Sequence, residues 1–196
     1  MLKENILQLA ASLFDETVAD RRHLHAWPEL SFQEYKTSEF VASKLSDLKI
    51  PFEIKANTGI VALLQGTQSA SQQVVALRAE REAGPREEAK EGSYKSQNKG
   101  VMHACGHDVH TSSLLAVAAI LNQLKAEFSG TVKFIFQPAE EGPPIGEEGG
   151  APLMVKEGVL DNPKVDVLFG LHINAQTPIG QIKYREQGMM AASDWF

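Results

Sequence analysis

Short apolar runs alternate along this chain with segments of helical periodicity, and this alternation limits the available folds more than any other feature. The runs that indicate strands are Phe52–Lys55, Ile60–Gln65, Val74–Ala79, Val132–Gln137, Val165–Leu171 and Gln181–Tyr184. The segments that indicate helices are Glu4–His25, Glu34–Leu48, Thr111–Leu124 and Ala151–Glu157. Strands that alternate with helices favour a layered α/β fold. We predict a three-layer α/β/α sandwich with a mixed, mostly parallel sheet, in a single domain spanning residues 1–196.

Composition and charge narrow the class of protein. Hydrophobic residues make up 43% of the chain and charged residues 22%, which is typical of a globular protein. The net charge of -6 argues against nucleic acid as a partner. The sequence has no signal-peptide pattern and no apolar run of the roughly 18 residues that a membrane span needs. The single cysteine excludes an internal disulfide. We therefore expect a cytoplasmic protein that binds neither nucleic acid nor membrane.

Three polar residues follow predicted strands directly. Glu80 comes after Val74–Ala79, Glu140 lies just beyond the strand that ends at Gln137, and His172 follows Leu171. In open α/β sheets, ligands bind at the carboxyl ends of the strands. These residues should therefore converge on one edge of the sheet.

The run from Met102 to His110, M-H-A-C-G-H-D-V-H, is the densest group of potential metal ligands. Cys105 and His107 lie two residues apart in what we interpret as a glycine-containing loop. Thiolate, imidazole and carboxylate together form the ligand set of zinc, manganese or a similar divalent ion. The alternative is that the lone cysteine is simply a small buried apolar residue.

An acidic pair, Glu140-Glu141, follows the strand that ends at Gln137. Neighbouring side chains point different ways, so one carboxylate could bind metal while the other accepts a proton from water. The alternative is a solvated acidic loop, and spacing alone favours it. For His172, too, the alternative is that the histidine has a structural role and binds no metal.

The segment from Glu80 to Gly100 is polar and heavily charged, and we predict a surface loop. Its acidic part, up to Glu91, is either plain solvated loop or a support for the metal ligands. We interpret His23 and His25 as structural or close to the substrate, rather than as ligands.

At these residues the chain resembles the amidohydrolase branch of the aminoacylase and carboxypeptidase family of dinuclear metallopeptidases. The branch includes hippurate hydrolase, bacterial N-acyl-amino-acid amidohydrolases and plant indole-acetyl-amino-acid hydrolases. The matching segments are R-R-H-L-H-A-W-P-E-L-S-F-Q-E from Arg21, G-V-M-H-A-C-G-H-D-V-H from Gly100, Q-P-A-E-E-G from Gln137, G-G-A-P-L-M-V-K-E-G from Gly149 and F-G-L-H from Phe169. The resemblance spans essentially the whole chain.

The resemblance implies a role for each site residue. Cys105 would bridge two divalent metal ions, zinc or manganese or else cobalt or nickel, and His107, Glu141 and His172 would be terminal ligands. Glu140 would be the general base. The reaction implied is metal-dependent hydrolysis of the amide bond of an N-acyl amino acid, a small-molecule substrate.

Two departures from the family pattern weigh against activity. The family usually reads R-A-D-M-D-A-L-P where this chain has R-A-E-R-E-A-G-P, so Glu80 would stand in for an aspartate that orients the metal centre. Family members are also about twice as long and insert a lid and dimerisation domain after the A-A-S-D-W-F region. The chain is thus expected to be the N-terminal part of a catalytic domain, without the last histidine ligand. Its unpaired sheet edge could join two copies into a homo-oligomer.

Two other functions remain open at this stage. One is a catalytically silent metal-binding or interaction protein of the same family. The other is a cysteine hydrolase that pairs Cys105 with His107 or His110, although partners so close in one loop are unfavourably placed for that pairing.

Overall fold

The framework of the molecule is a five-stranded sheet in a computed structural model that describes residues 2–184 and 186. The strands are β1 Phe52–Lys55, β2 Gly59–Gln65, β3 Val74–Glu80, β4 Thr131–Gln137 and β5 Val167–Gly170. The helices are α1 Leu2–Ser12, α2 Phe14–Ala26, α3 Tyr35–Asp47, α4 His107–Gln123 and α5 Gly150–Lys156, with a 3-10 turn at Lys125–Glu127. The A-A-S-D-W-F segment lies outside the described residues.

The sheet is mixed, and β3 has parallel neighbours on both sides. The strand order is β1-β2-β4-β3-β5. β2 is antiparallel to β1 and β4, whereas β3 is parallel to both β4 and β5. In register, Val75 lies opposite Val132 on one side and Val167 on the other. The carboxyl ends of β3, β4 and β5 therefore lie at the same edge, and the predicted α/β fold is confirmed.

Helices cover both faces of the sheet, and alternation along β4 shows why. Phe134 and Phe136 are fully buried against α3 and α4, in a cluster with Leu45 and Leu115. The intervening Ile135 faces the other way and packs with residues of and beyond α5. Side chains of successive strand residues point to opposite faces, so a continuous apolar run requires cover on both sides. The predicted three-layer arrangement follows from this requirement.

Several predicted elements differ from the structure at their bounds. The predicted helix Glu4–His25 is interrupted at Leu13, between α1 and α2. Helix α4 begins at His107, four residues before the predicted Thr111, because the loop ends at Gly106 with φ +92°. His107 therefore lies in the first helical turn and not in the predicted loop.

The predicted strand Gln181–Tyr184 is wrong. These residues form no strand, and the amide of Gln181 donates to the carbonyl of Pro178 in a turn. A segment with a strand-like pattern becomes a strand only when a neighbouring strand offers a ladder of hydrogen bonds. Among the described residues, no strand lies beside this run.

The prediction of a surface loop from Glu80 to Gly100 is wrong at its beginning. Arg81 and Glu82 are only 1% and 2% exposed. Arg81 donates a hydrogen bond to the carbonyl of Thr58, and the charge of Glu34 partly offsets the cost of burying it. Charged composition predicts exposure only when the charges lack partners inside the protein.

Strand β5 lies at the edge of the sheet and is largely uncovered. Phe169 in the strand is 58% exposed, and Leu171, directly after it, is 62% exposed. Within residues 2–184 and 186, no strand pairs with its outer side. No helix in that described part has the length and apolar character that crossing a bilayer requires.

The paired layers lead to a stability prediction. Replacing the fully buried Phe134 with alanine removes apolar contacts and leaves a cavity, so the free energy of unfolding should fall by about 3–5 kcal/mol. Phe14→Ala is the matched control, because Phe14 is 64% exposed. Urea denaturation measures both changes. Equal losses for the two variants would contradict the assignment of Phe134 to the core.

Candidate metal centre

The carboxyl edge of the sheet brings together the residues that the sequence placed after strands. Glu80 ends β3, Glu140 follows β4 by three residues and His172 follows β5 by two. Because β3, β4 and β5 are parallel in this part of the sheet, their ends open on one side. The loop before α4 and the first turn of that helix reach the same place, which adds Cys105 and His107.

Cys105, His107 and His172 form a group whose potential ligand atoms all lie within 4.8 Å of one another. The Sγ atom of Cys105 is 3.3 Å from Nε2 of His172. Gly106 separates Cys105 from His107 and has φ +92°, a conformation that side-chain-bearing residues rarely adopt. The left-handed turn brings the thiol and the first imidazole of α4 to the same side.

The backbone partners of both imidazoles place the proton of the neutral ring on Nδ1 and its lone pair on Nε2. Nδ1 of His107 is 3.0 Å from the backbone carbonyl of Glu82, which can only accept, so Nδ1 carries the proton. Nδ1 of His172 donates in the same way to the carbonyl of Ile173 at 2.5 Å. Nε2 of His107 is buried and has no hydrogen-bond partner among the residues that the structure describes. A buried lone pair without a partner is costly, and a divalent ion would satisfy it.

Carboxylates surround this group. Oε2 of Glu140 is 3.9 Å from Nε2 of His107. Glu141 belongs to none of the clustered ligand groups among the described residues, yet it lies close enough to act on Cys105. Burial, then Glu141 and Glu140, raise the pKa of the Cys105 thiol to about 12. Excess negative charge around a thiol favours a bound cation, which would in turn stabilise the thiolate.

Glu140 has the properties of a carboxylate that exchanges protons. Its side chain is 41% exposed, so water and substrate could reach it. Burial, together with the negative charge of Glu82, raises the pKa of Glu140. A carboxylate with a raised pKa is a stronger base once it is ionised.

Glu82 supports the acidic loop. The sequence offered a supporting role for the whole acidic segment from Glu80 to Glu91 but did not single out Glu82 within it. One oxygen of its carboxylate accepts the backbone N–H groups of both Glu140 and Glu141, each at 2.6 Å. The available signal was spacing. Glu82 lies two residues after Glu80, so an extended chain would place both carboxylates on the same side.

Glu80 lies in the site and holds a histidine. Its Oε2 is 2.9 Å from Nδ1 of His110. Burial acts to raise the pKa of Glu80, but the hydrogen bond with His110 and the cation of Arg78 lower it to about 2. Glu80 is therefore ionised and hydrogen-bonds to His110, although its side chain is one methylene longer than the aspartate expected at this position.

His25 joins the N-terminal helices to the start of α4. Its Nδ1 is 2.7 Å from Asp108 and its Nε2 is 3.0 Å from Glu88. Glu88 also accepts the amide of Ser96, so the contact ties the long loop to the helix. His25 is structural, one of its two expected roles, and the exposed His23 stacks on Phe40 with ring centroids 4.6 Å apart.

Comparison with known proteins identifies the family. The sequence model of peptidase family M20/M25/M40 matches residues 76–187, which is more than half of the chain. The chain belongs to this peptidase family. The resemblance drawn from its motifs is confirmed.

Curated and solved relatives agree with that assignment. The chain is 43% identical to an N-acyl-L-amino acid amidohydrolase of Geobacillus stearothermophilus, over all of this chain and 51% of the relative. It is 40% identical to thermostable carboxypeptidase 1 of Saccharolobus solfataricus, over all of this chain and 48% of the relative. The crystal structure of the Bacillus subtilis YXEP protein, a dinuclear metal-binding peptidase, has a TM-score of 0.78 and 38% identity, covering 87% of this chain and 46% of that one. The chain thus spans about half the length of the relatives it matches.

The role of Glu82 can be tested by removing its carboxylate. Glu82→Ala removes the charged acceptor of two backbone N–H groups, and a hydrogen bond to a charged group contributes about 1.5–3 kcal/mol to stability. Glu82→Gln keeps an acceptor oxygen and should lose less. Urea denaturation measures both, with Glu147→Ala in the exposed part of the same loop as the control. A loss for Glu82→Ala no larger than that of the control would contradict the role.

The His25 contact predicts a pH dependence of stability. Hydrogen bonding to Asp108, opposed by burial, raises the pKa of His25 above its ordinary value of 6.5. A raised pKa in the folded state means that the stabilisation is complete below 6.5 and is lost as the pH rises through the folded value. The difference in unfolding free energy between wild type and His25→Gln should therefore shrink from mildly acidic to alkaline pH.

Urea denaturation at a series of pH values measures this difference. The control is His23→Gln, since His23 is exposed and makes no contact with Asp108 or Glu88. A gap between wild type and His25→Gln that stays constant over the whole series would refute the linkage.

Proposed function

We propose that this chain carries most of the metal ligands and the catalytic base of an amidohydrolase that cleaves N-acyl amino acids. The observation that carries the proposal is the convergence of Cys105, His107 and His172 at the carboxyl edge of the sheet. The Nε2 atom of His107 is buried and unpaired among the described residues, which fits a nitrogen that binds a metal ion. Family membership supports the same chemistry, and the YXEP relative is described as dinuclear.

Two divalent ions would be held by Cys105, His107, Glu141 and His172. When bound, the ions would polarise the amide carbonyl and lower the pKa of water. Thiolate and imidazole ligands suit zinc, and the carboxylate would also accept manganese, cobalt or nickel. Membership of the ligand set is best supported for the three clustered residues and rests for Glu141 on its closeness to Cys105.

Glu140 would be the catalytic base. It would accept the proton of the attacking water and pass it to the leaving nitrogen of the amino acid. Its raised pKa and its partly exposed side chain support this role. Glu82 would hold the backbone of Glu140 and Glu141, so that the base and the ligand keep their relative positions.

The substrate class rests on the relatives. One is named an N-acyl-L-amino acid amidohydrolase and another a carboxypeptidase, and we extend the amide-cleaving chemistry of these names to this chain. A small-molecule N-acyl amino acid is therefore the proposed substrate. We place the protein in the cytoplasm because its single cysteine offers no internal disulfide.

A metal-binding chain without turnover is the second candidate. The uncovered β5 and the exposed His172 favour it, because they leave one side of the site open to water. A water-filled site weakens the electrostatic interactions on which catalysis depends.

We propose that residues 1–196 form one domain, the first part of a catalytic domain, and that the free β5 edge can pair with a second copy.

A cysteine hydrolase is disfavoured. A nucleophilic cysteine needs a lowered pKa, whereas that of Cys105 is raised to about 12. Among the described residues, the imidazole within hydrogen-bond distance of its sulfur is that of His172, and not that of His107 or His110 as that alternative requires.

Metal content per chain tests the proposal. After loading with zinc or manganese and dialysis, wild type should retain the metal and Cys105→Ala should lose most of it, because the sulfur is one of the three clustered ligand atoms. Hydrolysis of a panel of N-acyl amino acids is then measured with and without Glu140→Gln. That variant should retain metal yet lose about 10²–10⁴-fold in rate, the usual contribution of a general base.

Each outcome separates the candidates. Metal-dependent hydrolysis that Glu140→Gln abolishes supports the amidohydrolase. Retained metal with no turnover on any substrate supports the silent metal-binding chain. Equal metal content in wild type and Cys105→Ala would refute both.

A further inference from the structure

His110 uses both ring nitrogens, and its contacts lead to the loop that carries His172. Nδ1 of His110 is 2.9 Å from Oε2 of Glu80. Nε2 of His110 lies 3.0 Å from the backbone nitrogen of Ile173, the residue after His172. The imidazole therefore connects the end of β3 to the segment beyond β5.

The partners of His110 determine its tautomer. The backbone N–H of Ile173 can only donate, so Nε2 of His110 must carry the lone pair. The proton of the neutral ring then lies on Nδ1, where the carboxylate of Glu80 accepts it. His110 forms a group with Glu80 and His107 that has the spacing of metal ligands, but both of its nitrogens are already engaged. Its arrangement is that of a support and not of a ligand.

Two further contacts hold the same segment. The ring of His110 packs edge-on against that of His172, with centroids 4.6 Å apart and an interplanar angle of 71°. The side chain of Ile173 lies so close to Gly106 that a Cβ there would be 2.2 Å from its Cδ1. These contacts matter because β5 and the segment after it are exposed, so little else among the described residues restrains His172.

We propose that His110 is a positioning residue that fixes His172, and that Glu80 in turn fixes His110. The proposal rests on the proposed function in one respect only, namely that His172 is a metal ligand. By holding the amide of Ile173, His110 sets where Nε2 of His172 lies relative to Cys105. The arrangement assigns a role to the last histidine of the C-G-H-D-V-H run.

The first test needs no metal. In the metal-free chain, long-range proton–nitrogen NMR correlations should show His110 with its proton on Nδ1, and the amide of Ile173 should exchange slowly with solvent. His110→Phe preserves the ring shape and removes both nitrogens, so the Ile173 amide should exchange faster. His110→Gln offers an acceptor oxygen and should restore part of the protection. His103→Phe is the matched control, since His103 is buried in the same run and has no hydrogen-bond partner on its ring.

The second test measures cobalt binding by titration and by absorption. His110→Phe should weaken binding and raise the dissociation constant for cobalt about 10–100-fold, the usual cost of losing a group that orients a ligand. It should keep the sulfur-to-cobalt band, because Cys105 still binds. The double variant with His172→Ala should bind no more weakly than His172→Ala alone, since His110 acts only through His172.

The outcomes keep the two proposals apart. A proton on Nε2 of His110, or an Ile173 amide that exchanges equally in wild type and His110→Phe, would overturn the positioning role whatever the metal result. Additive losses in the double variant would also overturn it. If wild type binds no cobalt while the tautomer and the amide behave as expected, the proposed function fails and the role of His110 in fixing the His172 loop stands.

Discussion

The site depends on the parallel pairing of β3 with both of its neighbours. Parallel strands start from one edge of a sheet and end at the other, so residues that follow β3, β4 and β5 in sequence meet in space. The antiparallel β1 and β2 contribute none of these residues. They complete the sheet and, with β4, support the core against α3 and α4. The chemistry thus lies where the backbone topology forces distant segments together.

Charge balance is the second constraint, because four glutamates and a thiol share this edge. Glu80 and Glu82 are both buried. The carboxylate of Glu80 is hydrogen-bonded to His110, and that of Glu82 accepts backbone N–H groups of the acidic loop. Glu140 and Glu141 are exposed, and no backbone N–H group in the described part of the chain donates to their carboxylates. The buried pair therefore holds neighbouring groups in place, which leaves the exposed pair for the ligand and proton chemistry that we propose. This division agrees with a site that recruits cations.

The elements with strong periodicity could be predicted from sequence. β1 matched the prediction at both ends, and α3 differed from it by a single residue at each end. The start of α4 could not be predicted, since M-H-A-C-G-H-D has no apolar stripe. Three of the four residues in the first turn of α4 are polar and hydrogen-bond to distant segments. The prediction that Arg81 and Glu82 are exposed was wrong because both side chains have hydrogen-bond partners inside the protein. Their partners lie far away in the chain, and burial depends on them.

By itself, the sequence determined the α/β class, the family and the residue types of the site, because periodicity, motif spacing and ligand chemistry are local properties. Only the tertiary structure decided which histidines are available for metal. His107, His110 and His172 look alike in sequence, yet His107 has a buried nitrogen without a partner, while His110 has none to spare. Availability depends on what each ring nitrogen contacts, and those contacts come from β3 and from the segment beyond β5. No local pattern encodes them, since they join residues that only the folded sheet brings together.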